Sequence, residues 1–302
     1  MYVIGVDIGG TNLRIGLVDG QGHLLSCQRV PQGDVLKGDA PAALGAFIRQ
    51  YIQASGKGAE IAAIGLGMPA TLNRERTAVL SAPNIHGFDG VEVPAALQQE
   101  TGLLVFMEKD VNLLLYNDLC RYDLLDEDVV TGCYVGTGLG NANYIDGRFY
   151  SGHNGAAGEL GHIPVWHYHE VCACGNSGCV ETLVAGKGLE QLQARAFPEI
   201  PVGRLFMDAA ESPLIEDYIQ ALSLPLAAAV NILDPSVLVL GGGVISAAGF
   251  PREKLESLIR RHARKPYPEK NLRILFAQDA GENGVTGAGR YAVSRLNGAE
   301  KR

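Results

Sequence analysis

Charge is scarce in this chain of 302 residues: Asp, Glu, Lys and Arg make up 19% of it, and acids outnumber bases 33 to 25. A net charge of −8 and an isoelectric point near 5.4 argue against nucleic acid or an anionic membrane as the main partner. They leave room for an anionic ligand held locally by backbone amides and a bound cation. No apolar run approaches the ~20 residues needed to span a bilayer. The opening "MYVIGVDIGG" has no basic stretch and soon reaches an aspartate, unlike a signal peptide, so a cytoplasmic location without disulfides is expected. There is no low-complexity linker. Neither a G-x-x-x-x-G-K-[ST] run nor a G-x-G-x-x-G opening a helix occurs, which sets aside P-loop and Rossmann readings. What remains is a composition 47% hydrophobic, that of a globular protein long enough for two domains.

Tight-turn signals organise the chain. "YVIGVDIGGTNLRIGLVDGQGHLLSCQRV" reads as three strands joined at "GG" and "DGQG". A helix near Pro41–Ala54, strands at "IAAIGLGMP" and "LLVFME", and a helix from Asp110 to about Leu125 follow. The pattern then restarts at "TGCYVGTGLGNANYIDGRFY". Shifted by 127 positions, Gly9 falls on Gly136, Asp19 on Asp146 (146 − 19 = 127) and Gly20 on Gly147. The offset reads as a duplicated α/β unit with a turn at the head of each half, against a chance alignment of two Gly-rich hairpins. Helices over about Pro213–Leu233 and Arg252–Arg264, strands at "SVLVLGGG" and "LRILF", and a last helix from about Val285 complete the reading.

Three turns suit a nucleotide's phosphates. In "DIGGT", glycines let backbone amides approach an anion, Thr11 adds a donor, and Asp7 can hold a hydrated Mg²⁺ bridging phosphate oxygens. "GTGLG" (Gly136–Gly140) offers the same service in the second half, and "GGGV" (Gly241–Val244) follows a buried strand and can accept a nucleoside. The ATP and Mg²⁺ candidates are therefore Asp7, Gly9, Gly10, Thr11, Thr137, Gly138, Gly242 and Gly243. In "EKDVN", Asp110 at a strand-to-helix junction is either an N-cap or the base that takes a proton from an attacking hydroxyl. Asn84, Glu159 and Glu181 add the amide and carboxylates that suit a polyhydroxyl ligand.

Cys172, Cys174 and Cys179 form C-x-C-x₄-C, with His162 ten residues before the first. Three thiolates and an imidazole complete a tetrahedral zinc set, and four protein ligands leave no open position, so the zinc is expected to be structural. His167 and His169 are nearer in sequence and rival His162 as fourth ligand.

These pieces together resemble the ROK family of sugar kinases and repressors over essentially the whole chain. The matching runs are "DIGGT", "GTGLG", "GHNGAAGELGH" followed by "CACGNSGCVET", and "LVLGGGV"; E-x-G-H with C-x-C-G-x-x-G-C-x-E is the most specific. The resemblance implies an actin-like, ribonuclease-H-like fold of two domains, with ATP and sugar in the cleft between them. The smaller would span 1–117 plus a C-terminal helix over about 285–302, the larger 118–284. It implies that Asp110 is the general base, that Asn84, Glu159, His162 and Glu181 touch sugar hydroxyls, and that His162 is also the zinc ligand. A homodimer acting on a hexose at its 6-hydroxyl is expected. Sugar-sensing repressors of the family carry a helix-turn-helix segment before the "DIGGT" strand, which here starts at Tyr2, so a kinase is the expected member. One departure stands out: Lys109 precedes Asp110 where most family kinases have asparagine, and Lys109 joins the substrate-binding candidates. "KDVNL", "HIP" after E-x-G-H, and "FPRE" at Phe250–Glu253 look like the D-allose kinase subgroup.

Overall fold

The structure, a computed structural model, describes residues 1–278 and 280–298. In chain order its strands are β1 (Tyr2–Ile8), β2 (Asn12–Asp19), β3 (Leu24–Pro31), β4 (Ile61–Met68), β5 (Thr71–Leu72), β6 (Val79–Ser81), β7 (Leu104–Lys109), β8 (Val129–Val135), β9 (Leu139–Ile145), β10 (Arg148–Phe149), β11 (Val237–Gly241) and β12 (Arg273–Phe276). Its helices are α1 (Gln32–Val35), α2 (Ala40–Ser55), α3 (Val93–Thr101), α4 (Asp110–Arg121), α5 (Glu181–Val184), α6 (Gly186–Ala196), α7 (Leu205–Asp208), α8 (Pro213–Leu233), α9 (Arg252–His262) and α10 (Asn283–Leu296).

Two compact units result. The first holds Met1–Leu125, Tyr150–Ala157 and the chain from Ala280 onward; the second holds Asp126–Phe149 and Gly158–Asp279. Each is built on a five-stranded sheet, ordered β3-β2-β1-β4-β7 in the first and β10-β9-β8-β11-β12 in the second. In both, the first strand pairs antiparallel with the second and parallel with the fourth. The repeat offset of 127 thus marks a real duplication of topology.

The first sheet is covered on one side by α2, whose Leu44 and Ile48 join Ile4, Val6 and Leu66 in one core. Asp39 starts α2 by accepting the Ala42 N–H at 3.1 Å, and Gly56, in the left-handed conformation, ends it. On the other side α10 lies so close to β4 that a Cβ at Gly65 would stand 1.9 Å from the Ala288 carbonyl oxygen. Only a glycine strand allows that approach. In the second unit, Leu222 and Leu226 of α8, Leu238 and Leu240 of β11, and Leu255 and Ile259 of α9 share one core.

The boundary lies at Leu125/Asp126, beyond the 117/118 expected from sequence, because α4 is tied to α10 through its last turns. Arg290 donates to the Asn117 carbonyl at 3.0 Å, and Arg121 donates to Asn283 Oδ1 at 3.1 Å. Asp110 is the first residue of α4, whose N-cap is Lys109, and the helix stops four residues short of Leu125. The helix expected over about 285–302 begins at Asn283 and its ordered turns end at Leu296; residues 299–302, like Asp279, lie outside the described ones. Among the described residues no helix is long and apolar enough to cross a membrane.

Candidate active site and metal centre

In the first unit the site residues collect at one end of the sheet. Asp7 is the penultimate residue of β1, opposite Arg14 across the β1–β2 ladder, and Arg14 Nη1 lies 3.4 Å from Asp7 Oδ2. The turn between them is closed by the Gly9 N–H donating to the Asn12 carbonyl at 2.8 Å. It leaves Gly10 and Thr11 at the surface, and Gly10 near the side chain of exposed Asn84. Burial and the neighbouring Asp110 carboxylate raise Asp7 to about 6, against the opposing pull of Arg14. Two carboxylates this close disfavour each other's charge. A divalent cation at this point would relieve the repulsion, so the residues present fit one.

Asp110 Oδ1 accepts the N–H of the next residue, Val111, at 2.8 Å. This differs from a capping bond to the second or third turn residue, and the helix takes Lys109 rather than Asp110 as its N-cap. Its neighbour Lys109 is buried, and Lys109 Nζ donates to the Ala157 carbonyl at 3.3 Å. Glu108, also buried, accepts the Lys109 N–H at 2.8 Å and Asn112 Nδ2–H at 2.9 Å on the same oxygen. Its partner Arg76, with Nε 2.8 Å from that oxygen, was invisible to sequence reasoning. "NRERT" reads only as a polar turn.

In the second unit, Thr137 and Gly138 form the β8–β9 turn, where the Gly136 N–H donates to the Gly138 carbonyl at 3.0 Å. Helix α6 starts against this turn, the Gly186 N–H donating to the Gly136 carbonyl at 2.8 Å. Gly242 follows β11 at φ 94°, and a Cβ there would fall 2.5 Å from the Val135 carbonyl oxygen. The "GGG" turn therefore packs on the end of β8, beside the β8–β9 turn.

The ligand atoms of His162, Cys172, Cys174 and Cys179 all lie within 4.8 Å of one another, whereas His167 and His169 stand outside the group. Cys174 Sγ and Cys179 Sγ are 3.6 Å apart, and Cys172 Sγ is 3.7 Å from His162 Nδ1. Tetrahedral zinc with Zn–S bonds of about 2.3 Å separates its sulfurs by roughly 3.8 Å, so the donor set fits that metal. Gly175 and Gly178, both at positive φ, fold the short loop back on itself. Burial holds the Cys172 and Cys179 thiols up, while the Asn176 N–H holds Cys174 down. The other imidazole nitrogen, Nε2, is 3.5 Å from Glu159 Oε2, the carboxylate–histidine pairing that orients a metal ligand. Glu181 bridges two features: one oxygen accepts from the Cys172 thiol at 3.2 Å, and the other accepts the Leu139 N–H at 3.3 Å, beside Gly138.

Comparison with known proteins agrees in scale with this arrangement. The model of the ROK family matches residues 3–294. An N-acetyl-D-glucosamine kinase of Histophilus somni is 28% identical over 96% of this chain and 99% of its own. A glucokinase of Thermotoga maritima is 25% identical over 99% of each. Among solved structures, a ROK family glucokinase from Streptomyces griseus in complex with glucose and AMPPNP superposes with a TM-score of 0.79. It is 27% identical, and the match covers 96% of this chain and 99% of that one.

Proposed function

The chain belongs to the ROK family, and from that premise we propose that it is an ATP-dependent hexose kinase acting on the 6-hydroxyl. The observation that carries this reading is the pairing of Asp7 and Asp110 beside the β1–β2 turn, where burial first and the Asp110 carboxylate second raise Asp7 to about 6. One carboxylate holds a cation and the other handles a proton, the division of labour that phosphoryl transfer needs.

Asp110 accepts the proton of the 6-hydroxyl as its oxygen attacks the γ-phosphorus; the bond from that phosphorus to the bridging oxygen breaks, and ADP leaves. Asp7 would hold Mg²⁺, which would supply positive charge to offset that on the phosphoryl group. The amides around Gly9, Gly10 and Thr11, with Thr137 and Gly138, cradle phosphate oxygens, and Gly242 and Gly243 accept the nucleoside. Asn84, Glu159, His162 and Glu181 bind sugar hydroxyls. His162, Cys172, Cys174 and Cys179 would hold a structural zinc, which would keep the loop from Glu159 to Glu181 in one shape. The active species is taken to be a homodimer, readable by sedimentation.

Among hexoses we take D-allose as the substrate, on the strength of "KDVNL", "HIP" and "FPRE". The names of the relatives favour glucose and N-acetylglucosamine as the second reading. Coupled ADP release with Mg-ATP, run across D-allose, D-glucose, D-mannose, D-fructose, N-acetylglucosamine and N-acetylmannosamine, tests both. Allose is expected to lead in kcat/KM. Another hexose in front removes the allose assignment alone, and silence with every sugar removes the kinase.

A further inference from the structure

The β5–β6 hairpin of the first unit has only two register pairs, Thr71↔Ser81 and Leu72↔Val79, too few to hold its own tip. Arg76 at that tip adopts φ 60°, an uncommon conformation for a residue with a Cβ. Its side chain leaves solvent, 11% exposed, and meets three segments. Nε lies 2.8 Å from Glu108 Oε1; Nη2 donates to Ser151 Oγ at 3.1 Å; Nη1 donates to the Asn73 carbonyl at 3.1 Å and lies 3.5 Å from that of Gly155.

Each contact has a consequence for a neighbour. Glu108 Oε1 accepts the Lys109 N–H and the Asn112 amide, so the ion pair ties the guanidinium to the β7–α4 junction that presents Asp110. Ser151 and Gly155 belong to a strap, Tyr150–Ala157, that packs with the first unit. The strap lies directly on β5, for a Cβ at Gly155 would stand 2.1 Å from the Leu72 carbonyl oxygen. Its last residue, Ala157, accepts from Lys109 Nζ at 3.3 Å, and the chain then runs straight into Gly158 and Glu159.

We propose that Arg76 is a positioning residue for hexose phosphorylation, with Lys109 as the second anchor. One planar fork fixes both the turn that carries Asp110 and the strap that leads into the sugar-binding Glu159. This rests on the kinase reading above and gives Lys109 a task on the strap. The ammonium sits where an asparagine amide would be too short to reach the same carbonyl.

The test compares full-length wild type, Arg76→Ala, Arg76→Lys and Ser151→Ala by hexose-dependent ADP release and by amide hydrogen exchange over residues 150–157. In Arg76→Ala, kcat/KM for hexose is expected to fall about 10²-fold, the scale of a misplaced reacting group, while KM for ATP stays near the wild-type value. Strap amides should exchange at least about tenfold faster. Arg76→Lys keeps the charge without the fork and should recover part of both. Ser151→Ala removes one hydroxyl, leaves the fold intact, and should move both readouts less in the same direction. A merely structural role would lower the melting temperature and disturb hexose and ATP kinetics alike. Unchanged hexose kinetics in a folded Arg76→Ala, or wild-type strap exchange in it, overturns the proposal. If Arg76→Ala does not fold, Arg76→Lys and Ser151→Ala decide by the same readouts. If the wild type releases no ADP with any sugar, the kinase reading fails by itself, and strap exchange alone then upholds or overturns the anchoring.

Discussion

The two units share a sheet order and a turn at the same place, yet they equip that turn in opposite ways. In the first, β1 delivers Asp7, Arg14 faces it across the ladder, and Asp110 crowds it from α4. In the second, the residue 127 positions on from Asp7 is Tyr134, and the β8–β9 turn is backed by the start of α6 and the Glu181 carboxylate. Facing carboxylates are concentrated in one copy. Backbone donors and the Cys/His cluster are concentrated in the other. After duplication, then, the same topology specialised through a few side chains at the strand ends, because the ladder fixes where those side chains emerge.

That division predicts that changes in the first unit harm chemistry more than folding, and changes in the second harm loop order more than chemistry. Asp110→Asn should lower kcat by at least ~10²-fold with a melting temperature near wild type, read by ADP release and thermal unfolding. Cys172→Ser, on the other side of the comparison, should lose the metal, measurable by elemental analysis, and raise KM for hexose about ten- to a hundredfold. Chelation of the wild type should reproduce it together with a lower melting temperature.

Asp7→Asn should pull activity and stability apart. Its carboxyl stands at about 6 in the folded protein against an ordinary 3.8, so the folded chain binds that proton more tightly than the unfolded one. The stabilisation is complete below pH ~3.8 and is lost as pH rises through ~6. At pH 7.5 without Mg²⁺ the variant should therefore be more stable to urea by about 1–3 kcal/mol, equal to wild type near pH 4, and deficient in Mg-ATP turnover. A result of reduced stability at pH 7.5 would deny that the charged Asp7 carboxylate is disfavoured in the folded chain. The smallest effect is expected at Gly242→Ala, where φ is 94° and the Val135 carbonyl blocks a Cβ. A loss of about 1–2 kcal/mol should appear in urea unfolding, with a matching rise in KM for ATP.

Much of this was legible in the residues. Strict turn signals and apolar strands located β1–β3, β8–β10 and β11, and α8 runs from Pro213 to Leu233 as its periodicity and its Pro at the first turn indicated. The thiol spacing announced the Cys/His cluster; His167 and His169 compete with His162 on sequence distance, the family resemblance favoured His162, and the folded loop places His162 in the cluster. Other features had no sequence signal. The β5–β6 hairpin and α5 and α7 are too short to show a period. The place of Asp110 as the first residue of α4, with Lys109 as its N-cap, depended on the chain's entry into the helix. The Arg76–Glu108 pair joins residues 32 positions apart (108 − 76 = 32) in segments whose composition reads as a turn and a strand. Long-range ion pairs of this kind leave no local mark.

The most direct test of the account is phosphorus NMR of the product made from Mg-ATP and the best hexose of the panel. A phosphate monoester on the 6-carbon, formed one for one with ADP and abolished in a 6-deoxy analogue of that sugar, is the expected result. Inorganic phosphate in its place, or an ester at another carbon, would contradict it.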